Sequence, residues 1–197
     1  MCNEYENFTD WDAYCRLMQE LEWGTPTWQS ERDLPKAGSV RIRDVAPVIR
    51  AAGNGVELTR MRWSFPPPRP GGKPVFNFRS EGRSFKGSRR CLIPATAFFE
   101  FTGTKSPKTK HRFTLADQPF FCIAGIWRDG AAGEPPDFTM LTTVPGPDVA
   151  PYHDRQVAVL RPVDWPARIN LTRPEKDLLQ PLPAGSLREE TVLQGKA

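Results

Sequence analysis

Proline is spread along almost the whole of this chain: 21 of 197 residues, with no single tract holding most of them. Each fixes φ and lacks an N–H, so an all-helical bundle is excluded and many short elements joined by loops are expected. The apolar share of 39% against 25% charged is that of a folded protein, and the length suits one domain over residues 1–197. Short strand-like runs bounded by Gly, Pro or Asp fall at Val75–Phe78, Cys91–Phe101, His111–Leu115, Phe120–Trp127, Phe138–Val144 and Gln156–Leu160. Val40–Arg50 reads as a strand interrupted at Pro47. Thr9-Asp10-Trp11-Asp12 resembles a capping box for a helix from Asp10 to Glu22, ended by Gly24 and Pro26, and Thr172-Arg173-Pro174-Glu175 resembles a second. The expected fold is α+β: a strand-rich domain with a curled or barrel-like antiparallel sheet and flanking helices.

No apolar run approaches the roughly 18 residues of a membrane span, and the start lacks the basic-then-apolar order of a signal peptide, so a cytoplasmic protein is expected. Charge is unevenly placed. Between Arg60 and Arg112 stand 13 basic and 2 acidic residues, giving that stretch +11 and the flanks −7. Interleaved with them are Trp63, Phe65, Phe76, Phe78, Phe85, Phe98, Phe99 and Phe101. Cations mixed with flat rings suit single-stranded nucleic acid, and they equally suit a solvated basic surface over strands whose rings point inward.

The four cysteines, at 2, 15, 91 and 122, form no Cys-x-x-Cys pair, and His111 and His153 are the only histidines, so no metal site and no cofactor are expected. Cys15, Cys91 and Cys122 have apolar neighbours and read as core residues; Cys2 stands outside any apolar pattern. Excision of Met1, expected before a small residue, leaves Cys2 with a free α-amine beside its thiol. Such a 1,2-aminothiol condenses with an aldehyde to an imine, which the thiol closes to a five-membered thiazolidine.

The chain also resembles a known family. Met1-Cys2, Val45-Ala46-Pro47, Arg62-Trp63, Asn77-Phe78-Arg79-Ser80-Glu81, Arg90-Cys91-Leu92-Ile93-Pro94-Ala95, Phe98-Phe99-Glu100-Phe101, Ala124-Gly125-Ile126-Trp127, Leu141-Thr142-Thr143 and His153-Asp154-Arg155 occur in the order seen in the SOS response-associated peptidase (SRAP) family. Leu178-Leu179 and Leu182-Pro183-Ala184-Gly185-Ser186-Leu187 are similar to its C-terminal pattern. The resemblance implies a protein of the DNA damage response that binds single-stranded DNA and traps abasic sites on its N-terminal cysteine as a thiazolidine crosslink, with an associated thiol autopeptidase activity. It implies Cys2 as nucleophile, Asn77 orienting the Cys2 terminus or the sugar, Glu100 as acid and base, and His153 assisting proton transfer. Arg79 and Arg155 would hold flanking phosphates, with Trp63 and Phe101 against the DNA. This chain departs from the family at Asn3-Glu4, where glycine and arginine are usual, at Ser64-Phe65 after Trp63, at Asp44, and at Phe101, where tryptophan is usual. Two other functions compete: a non-covalent single-stranded nucleic-acid binding module, and a thiol peptidase acting on other proteins through Cys2 and His153.

Overall fold

The computed structural model describes residues 2–9, 11–20 and 38–196. Its strands are β1 (Glu4–Glu6), β2 (Ser39–Arg41), β3 (Val45–Ala52), β4 (Gly55–Trp63), β5 (Asn77–Arg79), β6 (Arg89–Ala95), β7 (Ala97–Thr102), β8 (Thr109–Leu115), β9 (Phe121–Arg128), β10 (Asp137–Thr143), β11 (Gln156–Val157), β12 (Val159–Leu160) and β13 (Leu187–Leu193). Its helices are α1 (Trp11–Glu20), α2 (Trp165–Asn170) and α3 (Glu175–Leu178). β3 pairs antiparallel with β4 and β6, β6 with β9, and β9 with β10, while β10 runs parallel to β4. That circuit closes, so the strand-rich, barrel-like expectation holds, with parallel pairings added at β10. A second, antiparallel sheet has the order β13-β8-β7-β1-β2.

Strand alternation divides the barrel residues between two cores. Val48, Cys91, Ile93, Phe121, Ile123 and Met140 pack with Tyr5, Phe98 and Phe113 of the second sheet. Their chain neighbours Ile49, Leu92, Cys122, Ala124 and Leu141 face the other way and pack with Tyr14 and Met18 of α1, Trp165 of α2 and Leu178 of α3. Gly125 marks where strands crowd most closely. A Cβ there would lie 2.7 Å from Ile93 Cδ1 and 2.9 Å from Cys91 Sγ, and only hydrogen fits.

Several boundaries differ from the sequence reading. The break in 40–50 falls at Arg43, whose φ is +79°, and Pro47 lies inside β3. Proline is tolerated there because β3 pairs with β6 only at Ile49 and Arg50, beyond it. Cys91–Phe101 is two strands, β6 and β7, and 156–160 is also two, β11 and β12. β1, β4, β13 and α2 were not expected. The capping box at Thr172 does not form: Pro174 occupies the cap of α3, and the Glu175 carboxylate instead accepts from Arg168 at 2.7 Å and from the Phe85 N–H at 2.8 Å. Of the first expected helix, Trp11–Glu20 is present, whereas Asp10 of its capping box and everything expected over 21–37, Gly24 and Pro26 included, lie outside the described residues.

The topology gathers four distant segments. β1 is held between β2 and β7, which fixes the residues just before it. β7 carries Glu100, β5 lies along β10 with Asn77 opposite Met140, and the turn after β10 carries His153.

Candidate active site

Cys2 is fully buried, in the same core as Tyr5, Trp63 and Phe98. This corrects the expectation of a residue outside the core: a terminus leading into a strand paired on both sides is not a frayed end. Its thiol donates to the Glu4 carbonyl at 3.2 Å. Burial, followed by the nearby Glu100 charge, pushes its pKa up to about 12. With Met1 in place the sulfur is therefore a protonated core group and not a ready thiolate.

Asn77 and Glu100 converge on the backbone of Cys2. The Asn77 amide donates to the Cys2 carbonyl at 2.7 Å, a contact across 75 residues of sequence. Glu100 is 1% exposed, and burial raises its pKa from 4.5 to about 7 against the opposing pull of the N-terminal ammonium and, less strongly, of the Cys2 backbone N–H. A carboxyl poised there can both give and take a proton near neutrality. His153 Nε2 lies 3.8 Å from Glu100 Oε2. Its Nδ1 accepts the Arg155 backbone N–H at 3.0 Å, so a neutral ring carries its proton on Nε2, the nitrogen nearer Glu100. Burial lowers the His153 pKa and favours that neutral form. The Asp154 carboxylate, 2.9 Å from Nδ1 but 88% exposed, pulls the other way. An open pocket of about 430 Å³ reaches Glu100 and His153 of this group and is lined by Asn3, Glu100, Phe101, Lys108 and His153. Cys2, Asn77, Glu100 and His153 are thus brought together.

The expected DNA contacts divide. Arg79 is exposed at the end of β5, and Phe101 is half-buried at the pocket. Arg155 is only 8% exposed, and its guanidinium is bound by both Glu81 oxygens, at 2.5 and 2.8 Å, and by Thr142 Oγ1 at 3.0 Å. It is an internal tie between 81 and 155 rather than a cation presented to solvent. Trp63 is fully buried, donates its indole N–H to the Phe76 carbonyl at 2.9 Å and stacks on Phe138, so it has no face to offer a base. The other rings of the basic stretch share that fate: Phe85, Phe98 and Phe99 are buried, and Phe65, Phe76 and Phe78 half-buried. Many of its cations meet acids from the flanks: Arg62 pairs with Glu134 and Asp137, Arg89 with Asp129, Lys110 with Glu4, and Arg112 with Glu6. Four of the thirteen cations are paired in this way, which offsets part of the linear +11.

Sequence reasoning missed Asn3 and Lys108 at the pocket and Glu81 as the partner of Arg155. Glu81 stood in the Asn77–Glu81 motif, and Lys108 in a basic run, but no local signal marked either side chain's neighbour. Among the described residues no cluster of three or more His, Cys, Asp or Glu side chains is arranged to hold a metal ion.

The fold and the site together define a strand-rich domain that buries a cysteine at position 2 against a carboxylate and a histidine. The chain belongs to the SOS response associated peptidase (SRAP) family, whose model matches residues 1–194. It is 30% identical to the abasic site processing protein YoqW of Bacillus subtilis (strain 168) over 198 residues, covering 92% of this chain and 86% of that one. It is 29% identical to YobE of the same organism, also an abasic site processing protein, covering 92% and 88%. Among solved structures, a protein from Bordetella bronchiseptica superposes with a TM-score of 0.71 at 27% identity, covering 98% of this chain and all of that one. A protein from Bacteroides thetaiotaomicron shares the fold, with a TM-score of 0.71 at 18% identity over 98% of this chain and 92% of that one.

Proposed function

We propose that this chain processes abasic sites in single-stranded DNA by trapping the ring-opened sugar on Cys2 as a thiazolidine, in the response to DNA damage. The observation that carries the reading is the convergence of Asn77 and Glu100 on the backbone of Cys2. The Cys2 nitrogen that acts on Glu100 is an amide while Met1 is attached, when the N-terminal ammonium acts on the carboxyl more strongly, and becomes the α-amine once Met1 is removed. Relatives that process abasic sites add support.

The nitrogen acts first, because the sulfur is protonated. The amine attacks the sugar aldehyde carbon, Glu100 protonates the carbinolamine oxygen, which leaves as water, and the Glu100 carboxylate takes back the nitrogen's proton to give a neutral imine. The Cys2 sulfur then adds to the same carbon while its proton passes to the imine nitrogen, with His153 beside Glu100 to relay it. One water is released and the five-membered ring holds N, Cα, Cβ, Sγ and the sugar carbon. Asn77 holds the Cys2 carbonyl and so fixes the orientation of this residue next to Glu100. Arg79 and Phe101 are assigned to the flanking strand, and Trp63 and Arg155 to the fold. The burial of the Cys2 thiol in the core, which also pushes its pKa up, disfavours the reading of a peptidase acting on other proteins. Burial of Trp63, Phe85, Phe98 and Phe99 disfavours the non-covalent module.

The test is a denaturing gel of the protein, its N-terminus checked by intact mass, mixed with single-stranded DNA carrying one abasic site. A shifted band is expected for the wild type with abasic DNA, and none with intact DNA or with Cys2→Ala. A shift that survives in Cys2→Ala overturns the proposal.

A further inference from the structure

Trapping a sugar within a strand brings at least one phosphodiester to the pocket, beside a carboxyl able to ionise. That anion needs a counter-charge. Arg155 is bound to Glu81, position 4 is a glutamate bound to Lys110, and His153 is held toward its neutral form. Of the five residues lining the pocket, Lys108 is the one lysine or arginine. It is exposed, and no described acidic side chain pairs with it.

Lys108 is also held in place. It ends the loop joining β7 to β8, and residues near the C-terminus are laid against that loop. The Gly195 N–H donates to Thr109 Oγ1 at 2.9 Å, and the Lys196 N–H donates to the Pro107 carbonyl at 3.1 Å. The approach leaves no room for a side chain: a Cβ on Gly195 would sit 2.4 Å from Thr109 N and 2.7 Å from the Lys108 carbonyl carbon. A chain clamped at Pro107 and Thr109 keeps Lys108 at the pocket wall with less loop entropy left to lose on binding.

We infer that Lys108 is the phosphate-binding residue of this pocket, gripping the phosphodiester next to the abasic sugar, and that Gly195 and Lys196 position it. The inference rests on the crosslinking function proposed above and names the group that seats its substrate.

The experiment measures the second-order crosslinking rate with a single-stranded oligonucleotide carrying one abasic site. The proteins are wild type, Lys108→Gln, Lys108→Arg and Gly195→Ala, and the salt is roughly 50 and 200 mM. Lys108→Gln is expected to react about tenfold more slowly at low salt, the effect of losing one charge-assisted contact. One phosphate contact fewer lowers the salt slope by about 0.7, so wild type and variant should converge about 2.6-fold at high salt. Lys108→Arg should stay within about threefold of wild type, because an exposed phosphate contact asks for a positive charge in reach. Gly195→Ala should slow the reaction while adding nothing in the Lys108→Gln background. Oligonucleotides with an uncharged methylphosphonate on the 5′ or the 3′ side of the lesion locate the contact: on one of them wild type and Lys108→Gln should react alike. Equal rates for wild type and Lys108→Gln on ordinary DNA, or an undiminished difference on both methylphosphonates, overturn the inference. A wild type that never crosslinks overturns the function beneath it, so the two failures are distinct.

Discussion

Replacing Glu100 with glutamine should make the protein more stable and less active, and the gain in stability should depend on pH. The side chain is 1% exposed, and burial lifts its pKa from 4.5 to about 7. Between those values the folded chain keeps a proton that the unfolded chain has released. The contribution to stability is therefore whole below pH 4.5 and is lost as pH rises through about 7. Above that, the ionised buried carboxylate penalises the fold by roughly 3 kcal/mol, at about 1.4 kcal/mol for each tenfold change in the ionisation constant. Glutamine matches the size of the protonated acid and never ionises. Glu100→Gln should therefore be near neutral in stability at about pH 4, and at about pH 8 should raise Tm by roughly 6–12 °C. Urea unfolding of both proteins at the two pH values reads the difference directly. In the same preparations, crosslinking to abasic DNA should fall on the order of 100-fold, because the proton donor for water loss is gone. A stability difference that is the same at both pH values would refute the reasoning, since only an ionisation within that window makes it change.

Three other substitutions separate site from scaffold. Asn77→Asp removes the donor to the Cys2 carbonyl and should slow crosslinking on the order of 100-fold with little change in Tm; a rate within about threefold of wild type would release Asn77 from its role. Arg155→Ala removes the bonds to Glu81 and Thr142 and, because the Glu81 carboxylate is partly exposed, should lower stability by about 1–2 kcal/mol in urea unfolding, whereas a residue serving DNA alone would leave stability untouched. Gly125→Ala forces a methyl to within 2.7 Å of Ile93 Cδ1 and should destabilise by about 1–3 kcal/mol, seen as a lower denaturant midpoint.

How much of this was readable in the residues depends on whether the deciding neighbour is local. The proline spacing and the apolar runs at 111–115, 120–127 and 138–144 matched real strands, because each lies wholly within one core or between the two. β4 escaped notice because Val56 and Leu58 face one core while Met61 and Trp63 face the other, so the alternation changes phase within the strand. β13 escaped because its run Arg188-Glu189-Glu190 is what a solvent-facing edge carries, and its pairing with β8 is visible only in space. At the site, Cys2 was marked by position and its three companions by family motif, yet the burial of Cys2 depends on β1 lying between β2 and β7. Trp63 and Arg155 were read as facing DNA because a ring and a cation look alike in sequence whether they meet a nucleotide or the protein's own Phe138 and Glu81.

The central claim concerns one carbon bonded to both the nitrogen and the sulfur of residue 2. Tandem mass spectrometry of the nuclease-trimmed adduct, made with protein shown by intact mass to begin at Cys2, tests it most directly. The expected terminal peptide is heavier by the trimmed sugar fragment less one water, with the modification confined to Cys2 and the thiol no longer alkylable. An adduct mapped to Lys108 or any other side chain, or one whose Cys2 thiol still alkylates freely, would contradict it.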